Sequence, residues 1–93
     1  MNIQRGLFFA RLGKAQEALQ SISLAVKLDS LNEEVILDAS RICAILGKKE
    51  QMLTWFEKAR NMNPEYDAAF IATAIDFEKY RQDSDLLLAA RQE

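Results

Sequence analysis

Residues 30–64 read SLNEEVILDASRICAILGKKEQMLTWFEKARNMNP, and this stretch decides the fold. Ser30 followed three residues later by Glu33 is the pattern of a capping box, which predicts the start of a helix. Gly47 can supply the left-handed residue that commonly ends a helix, and a second helix is predicted over about 49–62. Because the connection between the two helices is short, they must lie antiparallel.

The same hairpin recurs when the sequence is shifted by 34 residues, so that Gly13 falls on Gly47. In the first copy the two helices are expected over about 2–11 and 15–28. Apolar residues coincide through three copies, at Ile3, Leu37 and Ile71 and again at Phe9, Cys43 and Phe77. The sequence therefore predicts one all-α domain, a right-handed α-solenoid of about three antiparallel helix pairs. Its repeats are expected at about 1–32, 33–66 and 67–93.

The third copy is expected to begin at Asn63-Pro64, because Asn is a good N-cap and Pro suits the first helical position. The helix is predicted to run from there to about Arg81. Asp83 or Ser84 can cap a last helix that ends near Gln92.

The composition excludes most other classes of protein. The chain has 93 residues, a net charge of −2 and scattered basic residues, so we expect no nucleic-acid binding. It has no His and a single Cys43, so the usual metal ligands and the base partner of a thiol nucleophile are missing. We therefore expect no enzyme activity, metal or cofactor, and we expect Cys43 to be a buried thiol in a reducing, cytoplasmic compartment. The longest apolar run, Leu86–Ala90, is too short to span a membrane.

The copies resemble the tetratricopeptide repeat (TPR) family, in which small and large residues alternate over a 34-residue period. The second copy matches that pattern best, at Ile36, Ala39, Ser40, Cys43, Met52, Phe56, Ala59 and Pro64. Small residues recur at one position, Gly6, Ser40 and Ala74, where close helix contact leaves no room for a bulky side chain. The resemblance covers essentially the whole chain and implies a protein-binding scaffold. Trp55-Phe56 and Phe70 also resemble the half-TPR repeats of RNA-processing proteins, which lack a fixed 34-residue period.

The resemblance implies a concave groove lined by the first helix of each copy, which binds an extended peptide or a helix. The residues expected to contact a protein partner are Ile3, Leu7, Leu37, Asp38, Arg41, Ile45, Ala68, Ile71 and Ile75, and Arg11 lies on the same face. This face is largely aliphatic. It is therefore expected either to be covered by another helix or repeat, or to bind the apolar anchors of an amphipathic partner helix.

Some members of the family clamp the carboxylate of a chaperone C-terminus with Lys, Asn and Arg side chains. Here those roles would fall on Ile3, Leu7, Asp38, Ala68 and Ala72, and none of these is a suitable cationic or amide donor. We therefore expect no chaperone-tail binding.

A second function is self-association. Terminal repeats usually need a polar capping face, and Leu86, Leu87 and Leu88 make the last helix apolar on nearly every side. The alternative prediction is therefore a homodimer formed through these leucines.

Overall fold

The computed structural model describes residues 3–91, and the side chains of residues 3–5 and 68 lie outside what it describes. The predicted helix ends at residues 2 and 92 also lie outside the described residues. Between residues 3 and 91 the chain is all-helical with no strand, which confirms the predicted all-α class. The elements are α1 (Ile3–Arg11), α2 (Ala15–Leu28), α3 (Glu33–Ile45), α4 (Lys49–Met62), α5 (Ala68–Thr73), a 3₁₀ helix (Ile75–Tyr80) and α6 (Ser84–Arg91).

Two glycine turns close the first two hairpins as the sequence predicts. Gly13 has φ 77° and Gly47 has φ 75°, the left-handed region in which a Cβ would be strained. The amide of Lys14 donates to the Phe9 carbonyl at 2.8 Å, and the corresponding Lys48 amide donates to Cys43 at 2.9 Å. These bonds satisfy carbonyls at the ends of α1 and α3 that have no partner within the helix.

The start of α3 differs from the prediction, because Asn32 caps it in place of Ser30. Asn32 Oδ1 accepts hydrogen bonds from the backbone amides of Glu34 (2.9 Å) and Val35 (3.4 Å). Its amide group also donates to Asp29 Oδ2 at 3.0 Å, which fixes the orientation of the cap. The predicted capping box is therefore wrong: Asn32 directly precedes the helix and Ser30 does not.

The third segment, which consists of α5 and the 3₁₀ helix (residues 68–80), differs most from the prediction. Asn63 Oδ1 accepts from the Glu65 amide in a turn, and α5 begins later, where Asp67 Oδ1 accepts from the Phe70 amide at 3.1 Å. The predicted continuous helix to Arg81 is wrong, because α5 ends at Thr73. Ala74 is extended (φ −82°, ψ 115°), and the chain continues as the 3₁₀ helix.

The last helix begins as expected. Asp83 Oδ1 accepts from the amides of Asp85 (3.0 Å) and Leu86 (3.2 Å), so Asp83 is the cap of α6.

The helices pack around one apolar core. α1 contacts α2 and α3, α3 contacts α2, α4 and the 3₁₀ helix, and α6 contacts α4 and α5. At the centre of the core α4 contacts the 3₁₀ helix, since the rings of Phe56 and Phe77 meet edge to face with their centroids 5.7 Å apart. The first two hairpins meet at Gly6, where an added Cβ would lie 2.8 Å from Ile42 Cδ1 and 2.8 Å from Ser21 Cβ. A small residue is therefore required at this helix contact.

Among residues 3–91, no helix is both long enough and apolar enough to cross a bilayer.

Candidate binding groove

A groove of about 610 Å³ lies between α1, α3 and the broken third segment. Its walls are Arg11 from α1, Leu37 and Arg41 from α3, and Phe70, Thr73, Ala74, Ile75 and Asp76 from the third segment. This volume lies within the range of pockets that bind small ligands or single side chains of a partner. The lining combines apolar side chains with the charged groups of Arg11, Arg41 and Asp76.

The backbone break at Ala74 shapes this groove. Because Ala74 is extended between α5 and the 3₁₀ helix, the residues that follow it do not continue the helical periodicity of α5, and their side chains point in other directions. Ile75 is 77% exposed, whereas the side chain of Asp76 is only 9% exposed. An apolar side chain therefore projects into solvent beside a carboxylate that is held inside.

Four charged side chains form a continuous chain across the groove, in the order Arg11, Asp76, Arg41, Asp38. Asp76 Oδ2 accepts from Arg41 Nε at 2.7 Å and from Arg41 Nη2 at 2.6 Å. Arg41 Nη1 also donates to Asp38 Oδ1 at 2.9 Å, and Arg11 Nη2 lies 3.4 Å from both Asp76 oxygens. The chain links α1, α3 and the 3₁₀ helix, and its formal charges cancel.

The protonation of these groups follows from their burial and pairing. Burial raises the pKa of the Asp38 carboxyl above its ordinary value, and the charge and hydrogen bond of Arg41 offset only part of this rise. Burial would lower the pKa of Arg41, but the hydrogen bond and charge of Asp76, with those of Asp38, outweigh it and raise that pKa. Arg41 therefore stays charged at every accessible pH and acts as the fixed centre of the chain.

Of the residues predicted to contact a partner, Leu37, Arg41 and Ile75 line the groove, and Asp38 adjoins it through Arg41. Leu7, Leu37 and Ile71 are all buried (6%, 7% and 0% exposed), so these three side chains offer little surface to a partner in this structure. Ile45 is half-buried against the core. The side chains of Ile3 and Ala68 lie outside what the structure describes.

The sequence reasoning missed Asp76 and the part of the groove wall formed by Phe70, Thr73 and Ala74. A signal was present in the repeat itself, because the residue 34 positions before Asp76 is the fully buried Ile42. A carboxylate at a core position of a repeat indicates that this copy departs from the regular packing.

A second cleft of about 560 Å³ separates α2 from α4 on another side of the molecule. Its lining combines apolar and polar side chains, Leu19, Ile22, Ser23, Glu50, Gln51, Thr54 and Trp55. No residue predicted as a partner contact lies in it.

The three leucines proposed for self-association differ in exposure. Leu86 is fully buried, Leu87 is half-buried, and Leu88 is 64% exposed. Leu86 faces the core because α6 packs on α4 and α5, so it cannot contact a second molecule in the folded chain. The other outward residues of α6 include Asp85 and Arg91, and this surface is more polar than the sequence suggested.

Cys43 is a free, fully buried thiol, and burial raises its pKa to about 11. It is therefore protonated at neutral pH and a poor nucleophile. Its Sγ lies 3.9 Å from Gln51 Oε1. Within residues 3–91, no group of three or more His, Cys, Asp or Glu side chains is arranged to hold a metal ion.

No protein-family model, curated protein or solved structure matches this chain.

Proposed function

We propose that the chain is a short TPR-like right-handed α-solenoid that binds an extended peptide or an amphipathic helix of a cytoplasmic protein. The proposal is supported by the 34-residue repeat, the matched turns at Gly13 and Gly47, and the contact of the first two hairpins through α1, α2 and α3. The binding surface is the groove between α1, α3 and the third segment.

The observation that carries the proposal is the exposure of Ile75. Ile75 is a large aliphatic side chain that is 77% exposed, and covering it by a partner would be favourable because apolar surface leaves water. The gain is about 1.5–3 kcal/mol for a side chain of this size when it is fully buried. A partner with one or two apolar anchors would place them against Ile75 and Phe70.

Arg11 would orient the partner. Its side chain is 56% exposed and meets Asp76 at the long distance of 3.4 Å, whereas Arg41 is held at 2.6 Å. Arg11 can therefore turn to a carboxylate or carbonyl of the partner while Arg41 continues to neutralise Asp76. The Arg41–Asp76 pair would maintain the shape of the groove, and Arg11 would hydrogen-bond to the partner.

A photo-crosslinking amino acid at position 75 tests this proposal. The matched control carries the same amino acid at position 88, since Ile75 and Leu88 are both exposed apolar residues on different surfaces. We expect a discrete crosslinked protein from cell lysate with the position-75 variant and none with the control.

A peptide from the crosslinked region should then bind the purified protein, and Ile75→Asp should weaken that binding at least about tenfold. Unchanged binding by the Ile75→Asp variant, with its helical content intact, would reject the groove as the binding site.

A further inference from the structure

The charged side chains of the groove differ in depth. The side chain of Arg11 is 56% exposed and that of Arg41 is 31% exposed, whereas the two carboxylates, Asp38 and Asp76, are 15% and 9% exposed. The formal charges cancel, but the negative groups lie inside and the positive groups lie nearer to the solvent. A partner that enters the groove therefore meets the guanidinium of Arg11 first, and this end of the groove attracts negative charge.

The charges are also ordered along α3. Glu34 and Asp38 lie in the first half of this helix, where burial raises the pKa of Asp38 and the nearby charge of Glu34 raises it further. Arg41 lies in the second half, and Lys79 Nζ lies 3.8 Å from the position that a Cβ on Gly47 would occupy, just after the helix ends. An acidic group of a partner is therefore disfavoured beside the first half of α3 and favoured beside the second half.

Arg11 has donors that are not engaged within the groove, unlike Arg41. The Nε, Nη1 and Nη2 atoms of Arg41 all contact Asp76 or Asp38, at 2.6–2.9 Å. Arg11 reaches Asp76 through Nη2, which lies 3.4 Å from both carboxylate oxygens, and among the described residues its Nε and Nη1 donate to no protein group. Asp76 keeps its bonds from Arg41 when Arg11 turns to a partner, so the exchange leaves no buried charge unpaired.

One exposed carboxylate lies close to Ile75 but outside the groove. Glu78 follows Ile75 by three residues in the 3₁₀ helix, so the two side chains lie on the same side of that helix. Glu78 does not line the groove, whereas Arg11 does. An acidic group of a partner bound at Ile75 is therefore expected on the side of Arg11 and not on the side of Glu78.

We propose, on the basis of the function proposed above, that the groove selects a partner segment in which an Asp or Glu side chain neighbours an apolar anchor. The anchor covers Ile75 and Phe70, and the carboxylate accepts hydrogen bonds from Arg11. An extended peptide or an amphipathic helix continues beyond its anchor, so a side chain and not a chain terminus supplies the carboxylate. Because Arg11 is largely exposed and solvent screens the pair, the carboxylate should strengthen binding about three- to fivefold over the matching amide.

Selection of random peptides displayed on phage, with the full chain immobilised, tests the inference. We expect the selected peptides to be enriched in an apolar residue with Asp or Glu close by. Each selected peptide is then synthesised with blocked termini, together with a version in which the acidic residue is replaced by its amide. Fluorescence anisotropy should show about three- to fivefold tighter binding of the acidic version to the wild type. This difference should decrease with added salt.

Two variants of the chain assign the preference to one arginine. Arg11→Gln should bind the acidic and amide versions equally, because it removes the guanidinium and leaves Asp76 paired with Arg41. Arg91→Gln is the matched control, since Arg11 and Arg91 are both exposed arginines in the last turn of a helix. The control should keep the preference of the wild type.

The outcomes separate this inference from the proposed function. Equal binding of the two versions by the wild type, or a preference that survives Arg11→Gln, would overturn the inference. The groove would remain a peptide site if Ile75→Ser, which adds no charge, still weakened the binding. A selection that yields no peptide dependent on Ile75 would reject the groove itself, and the proposed function with it.

Discussion

The second hairpin and the third segment share one repeat pattern but have different structures. α3 is a continuous helix over Glu33–Ile45, whereas the matching stretch of the third copy breaks at Ala74. We infer that one position contributes most to the contrast, since Asp76 stands where the repeat has the buried Ile42 of α3. A carboxylate in that core position would be desolvated without partners, which is costly. The break brings Asp76 to Arg41 instead, and the groove forms beside this pair.

The largest effects that test the comparison of the second hairpin with the third segment are expected at positions 43 and 77, which are also equivalent in the repeat. Phe77→Ala removes a fully buried ring that meets Phe56 at 5.7 Å, so it should destabilise the fold by about 3–5 kcal/mol. Urea denaturation followed by circular dichroism measures this loss. Leu31→Ala, at an 86% exposed site, should change the free energy of unfolding by less than about 0.5 kcal/mol. A loss below about 1 kcal/mol for Phe77→Ala would mean that the third segment does not belong to the core.

Cys43 provides a pH test of the regular hairpin. Its pKa in the folded chain is about 11, against 9.0 for the free thiol. The folded state therefore binds more protons between these values, and stability should fall as the pH rises from about 9 to about 11. The loss should be on the order of 2–3 kcal/mol for this thiol.

The variant Cys43→Ala isolates the contribution of the thiol, because the remaining titrating groups are the same in both proteins. Its stability should fall less steeply over that pH range than the stability of the wild type. Identical slopes for the two proteins would show that the thiol is not desolvated.

Asp76 is the position at which the third segment differs from the second hairpin, where the equivalent residue is Ile42. Two substitutions of Asp76 should have different effects. Asp76→Asn removes the charge that faces the partly buried Arg41, with an expected cost of about 1–2 kcal/mol. Asp76→Ile restores the apolar residue of the regular copy. We expect it to convert the 3₁₀ helix into a continuation of α5, with stronger helical circular dichroism and a loss of groove binding. Equal spectra for the two variants would show that Asp76 does not cause the break.

The helix caps give the smallest effect. Asn32→Ala should cost about 1 kcal/mol, because two amides at the start of α3 lose their acceptor. Ser30→Ala should be nearly neutral, within about 0.5 kcal/mol. Thermal unfolding of both variants measures the difference, and the reverse order would restore the capping box that the sequence suggested.

The regular part of the fold could be predicted because its signals are local and repeat in register. Gly13 and Gly47 each end a helix, and the same 34-residue interval places the small Gly6 where α3 makes its close approach. Such features depend on a few neighbouring residues, so a single sequence is enough to find them.

The cap of α3 and the break at Ala74 could not be predicted in the same way. Ser30 and Asn32 are both good caps, and in the structure Asn32 makes the capping bonds while its amide group donates to Asp29. The break is accompanied by the pairing of Asp76 with Arg41, which is remote from it in sequence, so a local pattern could not indicate it.

The candidate site could be predicted only on α3, which is one continuous helix as the repeat predicts. Leu37 and Arg41 on α3, two of the residues predicted to contact a partner, are among those that line the groove. Leu7 and Ile71 were placed on the same face by the repeat, but the closely packed α1, α3 and third segment enclose them. Asp76 was missed because a fixed period assumes that every copy keeps one uninterrupted helix.

The backbone at Ala74 is the most direct test of this account. The ¹³Cα chemical shifts of residues 68–81 report helix or extended backbone at each position in solution. We expect helical shifts through Thr73, an extended value at Ala74 and a return towards helical values at Ile75–Tyr80. Uninterrupted helical shifts from residue 68 to residue 81 would contradict the account, because Asp76 would then occupy the core position of Ile42 and the groove would not form.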